Sequence, residues 1–122
     1  MVGLKVVIAD DSRLMRAMIK KVLSNLGADV VGEASDGEEA IELIRKLKPD
    51  LAILDINMPK KDGLSVAREI KGDGVNTKVA LLTALNQPWV LEEAKKLGVT
   101  AFIPKPFKKE KLKEVIDNAR KD

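Results

Sequence analysis

Five short apolar runs alternate with five amphipathic stretches along the chain, and this pattern restricts the fold more than any single motif does. The runs are LKVVIA (4–9), DVVGEA (29–34), LAILD (51–55), KVALLT (78–83) and TAFIP (100–104). Three of them are almost continuously apolar, as expected of strands covered on both faces. Strand and helix in strict alternation, with short connections, require right-handed βαβ crossovers. The predicted fold class is therefore α/β, a (βα)5 doubly wound parallel sheet of five strands with helices on both sides.

The intervening stretches read as helices from their spacing. Leu14, Met15, Met18, Ile19, Val22, Leu23 and Leu26 form one stripe, stopped by Gly27; Ala40, Ile41, Ile44 and Leu47 form the next, with Pro49 beyond its end. Ser35 followed by Glu38 predicts a capping box at the start of that second helix. Leu64, Ala67 and Ile70 stripe a third helix ending at Gly72, and Val90, Leu91, Ala94 and Leu97 a fourth closed by Gly98. Leu112, Val115, Ile116 and Ala119 make the last. Within MPKKDG (58–63), Gly63 is expected to supply a turn before the third helix. Trp89, beside Pro88 at the start of the fourth helix, reads as a partly buried surface aromatic.

At 122 residues the chain holds one core of ordinary domain size, so 1–122 reads as a single domain. No cysteine means no disulfide and no thiolate ligand or nucleophile; no histidine excludes a Ser-His-Asp hydrolase, an ordinary zinc enzyme and a phosphohistidine carrier. No apolar run approaches the roughly 18 to 20 residues of a membrane span, and the N-terminus lacks a signal-peptide core, so a cytoplasmic protein without membrane contact is expected. The formal charge of +3 is spread as lysine pairs among glutamates, a solvated surface rather than a nucleic-acid footprint.

Asp10 and Asp11 end the first run, Asp55 the third and Thr83 the fourth, and Lys105 follows the fifth. In an open parallel sheet the carboxyl ends of the strands share one edge, and ligands bind there where strand order reverses. In a 2-1-3-4-5 order the first and third strands are neighbours, which brings Asp10, Asp11 and Asp55 together with Thr83 and Lys105 beside them. Two carboxylates about 4 Å apart at an effective dielectric near 20 repel by roughly 4 kcal/mol, so a cation is expected at the same spot. With sulfur and imidazole excluded the donors are oxygens, which suits Mg2+, with Mn2+ as a substitute. The neutralised site can accept a phosphoryl group, with Lys105 as a second positive contact and the Thr83 hydroxyl as a donor. One carboxylate is then the nucleophile of an aspartyl-phosphate, and Asp55, central on the edge, is the choice, leaving Asp10 and Asp11 as ligands. Taken singly, each residue has a local alternative: Asp11 as cap of the first helix, Asp55 as a turn cap, Thr83 as a strand residue, Lys105 as a surface lysine.

VVIADDS (6–12), LAILDINMPKKDG (51–63), VALLTA (79–84) and FIPKPF (102–107), in that order, resemble the receiver domain of two-component response regulators, in particular the single-domain CheY-like kind. The resemblance implies the flavodoxin/CheY-like 2-1-3-4-5 order, phosphorylation of Asp55 by a partner histidine kinase, and Mg2+ held by Asp10, Asp11, Asp55 and the backbone carbonyl of Asn57. It implies Thr83 as the switch hydroxyl and Phe102 as the aromatic switch, though Phe102 also fits a static core ring, and a cis Lys105–Pro106 peptide. Asn57 and Leu85 resemble positions that tune phosphoryl lifetime, and the apolar Leu85 cannot hold a water there. The implied output is docking of the surface of helix four, strand five and helix five to a target protein such as a flagellar switch component, in chemotaxis or motility control. A turnover enzyme is not expected. A haloacid-dehalogenase-like phosphatase would need a second acid where Ser12 stands, and a flavin or nucleotide binder a hydroxyl- or glycine-rich loop where DDSRLM stands.

Overall fold

The structure, a computed structural model, describes residues 3–84 and 88–121. The elements follow in strict alternation: β1 (Lys5–Ala9), α1 (Arg13–Asn25), β2 (Asp29–Ala34), α2 (Gly37–Leu47), β3 (Leu51–Asp55), α3 (Gly63–Gly72), β4 (Lys78–Thr83), α4 (Pro88–Lys96), β5 (Val99–Pro104) and α5 (Lys109–Arg120). All strand pairs are parallel, as the sequence pattern predicts, and the order is β2-β1-β3-β4-β5, as the family resemblance implies. The fifth strand begins one residue earlier than expected, because Val99 already pairs with Val79 before a register shift.

The two-residue period of the strands divides the core into two layers. Val6, Ile8, Leu51, Ile53, Ala80 and Leu82 face α1 and α5, where they meet Ile19, Leu23, Leu112 and Ile116. Val7, Ala9, Ala52, Leu54, Val79 and Leu81 face α2, α3 and α4, against Ala40, Ile44, Val66, Ile70 and Ala94. Every residue of β3 is buried, which fits its place at the centre of the sheet. Each fully buried leucine or isoleucine contributes about 1.5–3 kcal/mol of transfer free energy, so these two layers supply the main drive to fold.

Several local expectations are corrected. The cap of α2 is Asp36 rather than Ser35: its side chain accepts from the Glu39 N–H at 2.8 Å, while the Glu39 carboxylate accepts from the Ser35 N–H at 2.7 Å. The pairing lies one residue later than expected, with Asp36 in extended backbone next to Gly37 as the cap and Glu39 reaching back past it to the Ser35 N–H. The α1 stripe is narrower than its apolar residues. Ile19 and Leu23 are buried, but Leu14 is 71% and Met18 47% exposed, because α1 packs on the sheet and α5 along one line and these two lie outside it. Trp89 is 63% exposed rather than partly buried.

Gly63 is needed for close approach and not for a turn, since it starts α3 without a positive φ. A Cβ there would lie 2.7 Å from the Asp55 carbonyl oxygen and 3.1 Å from Ile56 Cα. Gly37 is tighter still: its Cβ would stand 2.0 Å from the Lys61 carbonyl oxygen, and its N–H donates to the Pro59 carbonyl at 3.2 Å. The loop after Asp55 is thus pressed between the first turns of α2 and α3. Gly37→Ala is expected to cost about 1–3 kcal/mol through overpacking against backbone. Gly72→Ala, with open space around it in α3, is expected to gain about 0.5–1 kcal/mol. Urea melts of the two variants should therefore shift in opposite directions.

Candidate functional site

β1 ends at Ala9, and Asp10 follows still locked to the sheet, its N–H donating to the Ala34 carbonyl at 3.0 Å. Its Oδ1 accepts from the Ser12 N–H at 2.8 Å, which turns the chain into α1. Ser12 then caps that helix, its hydroxyl oxygen accepting from the Met15 N–H at 3.1 Å. Asp11 is therefore not the cap; it stands exposed in the turn. Asp55 closes β3 and is 2% exposed. It does hold a turn, its Oδ1 accepting from the Asn57 N–H at 3.2 Å, so the local alternative and the functional reading coexist.

β5 brings the cation. Lys105 Nζ donates to Asp55 Oδ2 at 2.9 Å and stands 3.7 Å from Asp10 Oδ2, while its backbone N–H pairs with the Thr83 carbonyl at 3.0 Å. Its peptide with Pro106 is cis, as the resemblance implied. Thr83 is buried at the end of β4, in register with Pro104, and Leu81 is in register with Phe102. Thr83 and Phe102 therefore lie diagonally on the same face of the sheet, the face of α3 and α4, against which Phe102 is half-buried. Asn57 is exposed in the loop after β3. Leu85 falls outside the described residues.

One carboxylate oxygen each of Asp10, Asp11 and Asp55 lies within 4.8 Å of the others. Asp10 Oδ2 is buried and accepts no hydrogen bond, which is costly for a charged oxygen. Burial pushes the Asp10 carboxyl above its ordinary pKa. The Ser12 N–H opposes that, the charge of Asp55 adds to it, Lys105 opposes it and Asp11 adds again. Three acids against one ammonium, all donors oxygen and one of them buried without a partner, fit a hard divalent cation and would not suit a soft one.

Two residues that shape this site carry no signal that sequence reasoning used. Ser12 was visible only as a residue after the acid pair. Arg16, whose Nη1 donates to the Asp10 carbonyl at 2.6 Å, looks in sequence like one of several cations on α1.

The family model for the response regulator receiver domain matches residues 6–117. The chain belongs to that family. As a receiver domain it is 37% identical over 119 residues to the chemotaxis protein CheY of Thermotoga maritima, a match covering 98% of this chain and 99% of that protein. Among solved structures it superposes on the signal receiver domain of the putative response regulator NarL from Mycobacterium tuberculosis with TM-score 0.93 and 35% identity, over 100% of both chains. A CheX–CheY–BeF3–Mg2+ complex from Borrelia burgdorferi gives TM-score 0.91 and 27% identity over 96% of this receiver and 89% of that chain. The five edge residues singled out from sequence thus sit together in a receiver fold. No described helix is long and apolar enough to cross a membrane.

Proposed function

We propose that this receiver is a Mg2+-dependent phosphoacceptor whose nucleophile is Asp55 and whose donor is a partner histidine kinase. The observation that carries the reading is the grip on Asp55: a buried carboxylate with Lys105 on one oxygen, the Asn57 N–H on the other, and two further acids within cation-sharing distance. In the transfer, an Asp55 oxygen forms the new P–O bond as the phosphorus–nitrogen bond of a phosphohistidine breaks and the imidazole leaves. Asp10, Asp11, Asp55 and the Asn57 carbonyl would hold Mg2+, or Mn2+ in its place, which when bound neutralises the acids and binds phosphoryl oxygens. Lys105 Nζ, already beside Asp55, moves its charge to a phosphoryl oxygen, and the Thr83 hydroxyl donates to another.

The switch follows from the shared face of Thr83 and Phe102. A Thr83 side chain drawn toward the phosphoryl group vacates volume next to Phe102, whose half-buried ring turns in to fill it, and this reshapes the surface of α4, β5 and α5. The equilibrium shifts only by the difference in phosphoryl contacts between the two arrangements. The output is docking to a target protein, in chemotaxis or motility control, in the cytoplasm and without turnover of an external substrate. The similarity to CheY, and the Borrelia burgdorferi complex of CheY with CheX, support a protein target; a flagellar switch component is the kind proposed.

Intact mass after incubation with acetyl phosphate tests the chemistry without a kinase. The expected result is a gain of one phosphoryl group that requires Mg2+ and disappears on its removal with chelator. No gain, under conditions where Mg2+ binding is measured directly, would sink the phosphoacceptor reading.

A further inference from the structure

Asp10 has four polar atoms, and three of them are pinned. Its N–H donates to Ala34 of β2, its Oδ1 accepts from Ser12, and its carbonyl oxygen accepts from Arg16 Nη1 at 2.6 Å; only Oδ2 is left without a hydrogen bond, 3.7 Å from Lys105 Nζ. Of the three anchors, two are backbone groups that any residue would supply. The third is a side chain from the end of the first turn of α1, folded back over the turn that carries the acid pair.

Arg16 is built into place. Its side chain is 16% exposed, and its Nε makes a second bond, to Glu33 Oε1 of β2, at 3.3 Å. Two different edges of one planar guanidinium therefore tie the β1–α1 turn to the neighbouring strand, a geometry that a lysine ammonium cannot reproduce. Lys20 also reaches Glu33, at 2.9 Å, but it is 55% exposed and makes no bond to Asp10. Lys20 first and Arg16 after it hold the Glu33 carboxyl below its usual range, so Glu33 stays charged and offsets the Arg16 charge. That matters beside a cation site. A bare guanidinium next to Asp10 and Asp11 would repel a divalent ion, whereas one paired with Glu33 donates its hydrogen bond with little net charge.

We propose that Arg16 is a positioning residue for the metal site, acting through the Asp10 backbone to aim Oδ2 into the cluster, with Glu33 cancelling its charge. The inference rests on the reading of Asp10 as a Mg2+ ligand. A positioning role and a bystander charge predict opposite signs. Removing a nearby positive charge should by itself tighten Mg2+ binding, while releasing the Asp10 backbone should weaken it.

The test is calorimetric titration of MgCl2 into the full chain, with thermal melts of the metal-free proteins alongside. Arg16→Met is expected to weaken Mg2+ binding by roughly ten- to a hundredfold, the usual range for lost outer-shell support. Arg16→Lys should fail to restore it, and Lys20→Gln, which removes the same charge from the same Glu33, should leave it within about twofold or tighter. In acetyl phosphate labelling, Arg16→Met should need more Mg2+ for half-maximal rate and recover the wild-type rate at saturation. Unchanged or tighter Mg2+ binding by Arg16→Met overturns the proposal, as does a lowered melting temperature with unchanged affinity. Should Arg16→Met not fold, Arg16→Lys is decisive: it keeps the charge but cannot hold the Asp10 carbonyl and Glu33 together, so affinity should fall severalfold, and an unchanged value overturns the proposal. Wild-type protein that binds no Mg2+ would instead refute the metal reading itself.

Discussion

Asp55→Asn is expected to leave the domain folded and to reduce phosphoryl gain from acetyl phosphate to background. The amide has the shape of the carboxylate and keeps an oxygen to accept the Asn57 N–H, and losing one of three crowded charges relieves repulsion in a buried site. What is lost is the nucleophile. An uncharged amide oxygen cannot displace the leaving group to form a mixed anhydride, and the Lys105 contact at 2.9 Å then has no carboxylate to release. Intact mass and a thermal melt on the same sample check both halves. A variant that melts no lower than wild type yet still gains a full phosphoryl group would move the acceptor to Asp10 or Asp11.

Asp10→Asn should do two opposite things. Without metal, it should raise stability by about 1–3 kcal/mol, because it removes a buried charge whose Oδ2 has no hydrogen-bond partner while leaving Oδ1 to accept from Ser12. In a domain of this size that is several degrees in melting temperature. With Mg2+, the variant should lose the stabilisation that the wild type gains, since a ligand is gone. The pH dependence has a defined sign. The folded protein holds the Asp10 proton more tightly than the unfolded chain does, so this contribution is fully present below the unfolded pKa and lost as pH rises through the raised folded one. Metal-free wild type should therefore weaken as pH rises just above the ordinary carboxylate range, and Asp10→Asn should flatten that slope. Glu33, Asp36 and Asp117, whose carboxyls are lowered by their partners, act in the opposite sense at lower pH, where stability is lost as pH falls through their folded values. Melts across the acidic range, with and without Mg2+, distinguish the two windows.

The strands and the acids at their ends were legible because each depends on local information, whereas the β1–β3 adjacency that gathers Asp10 with Asp55 was implied by the family resemblance. A two-residue or three-to-four-residue period reports burial within one element, and a carboxylate at the end of an apolar run is visible without knowing what lies beside it. The features that escaped depend on which distant segments meet. Nothing local distinguishes Leu14 and Met18 from Ile19 and Leu23; only the line along which α1 meets α5 and the sheet does. Gly37 reads as a helix-start glycine until Lys61 is found against it, and Arg16 as a surface cation until Glu33, on another strand, is seen beside it. The shift of the α2 cap from Ser35 to Asp36 shows the limit within one element, where two competent capping residues adjoin and residue type alone does not choose between them.

The strand order has a bearing on how the molecule is made. β2 and β3 both pair with β1, β4 pairs with β3, and β5 with β4, so each strand finds its partner in one that precedes it in the chain. A polypeptide leaving the ribosome can lay down this sheet outward, strand by strand, each new strand pairing with an edge already made. The same order read backwards describes failure under load: tension on the C-terminal end strips β5 and then β4, and the three-stranded ladder that carries Asp10 and Asp55 is the last to open.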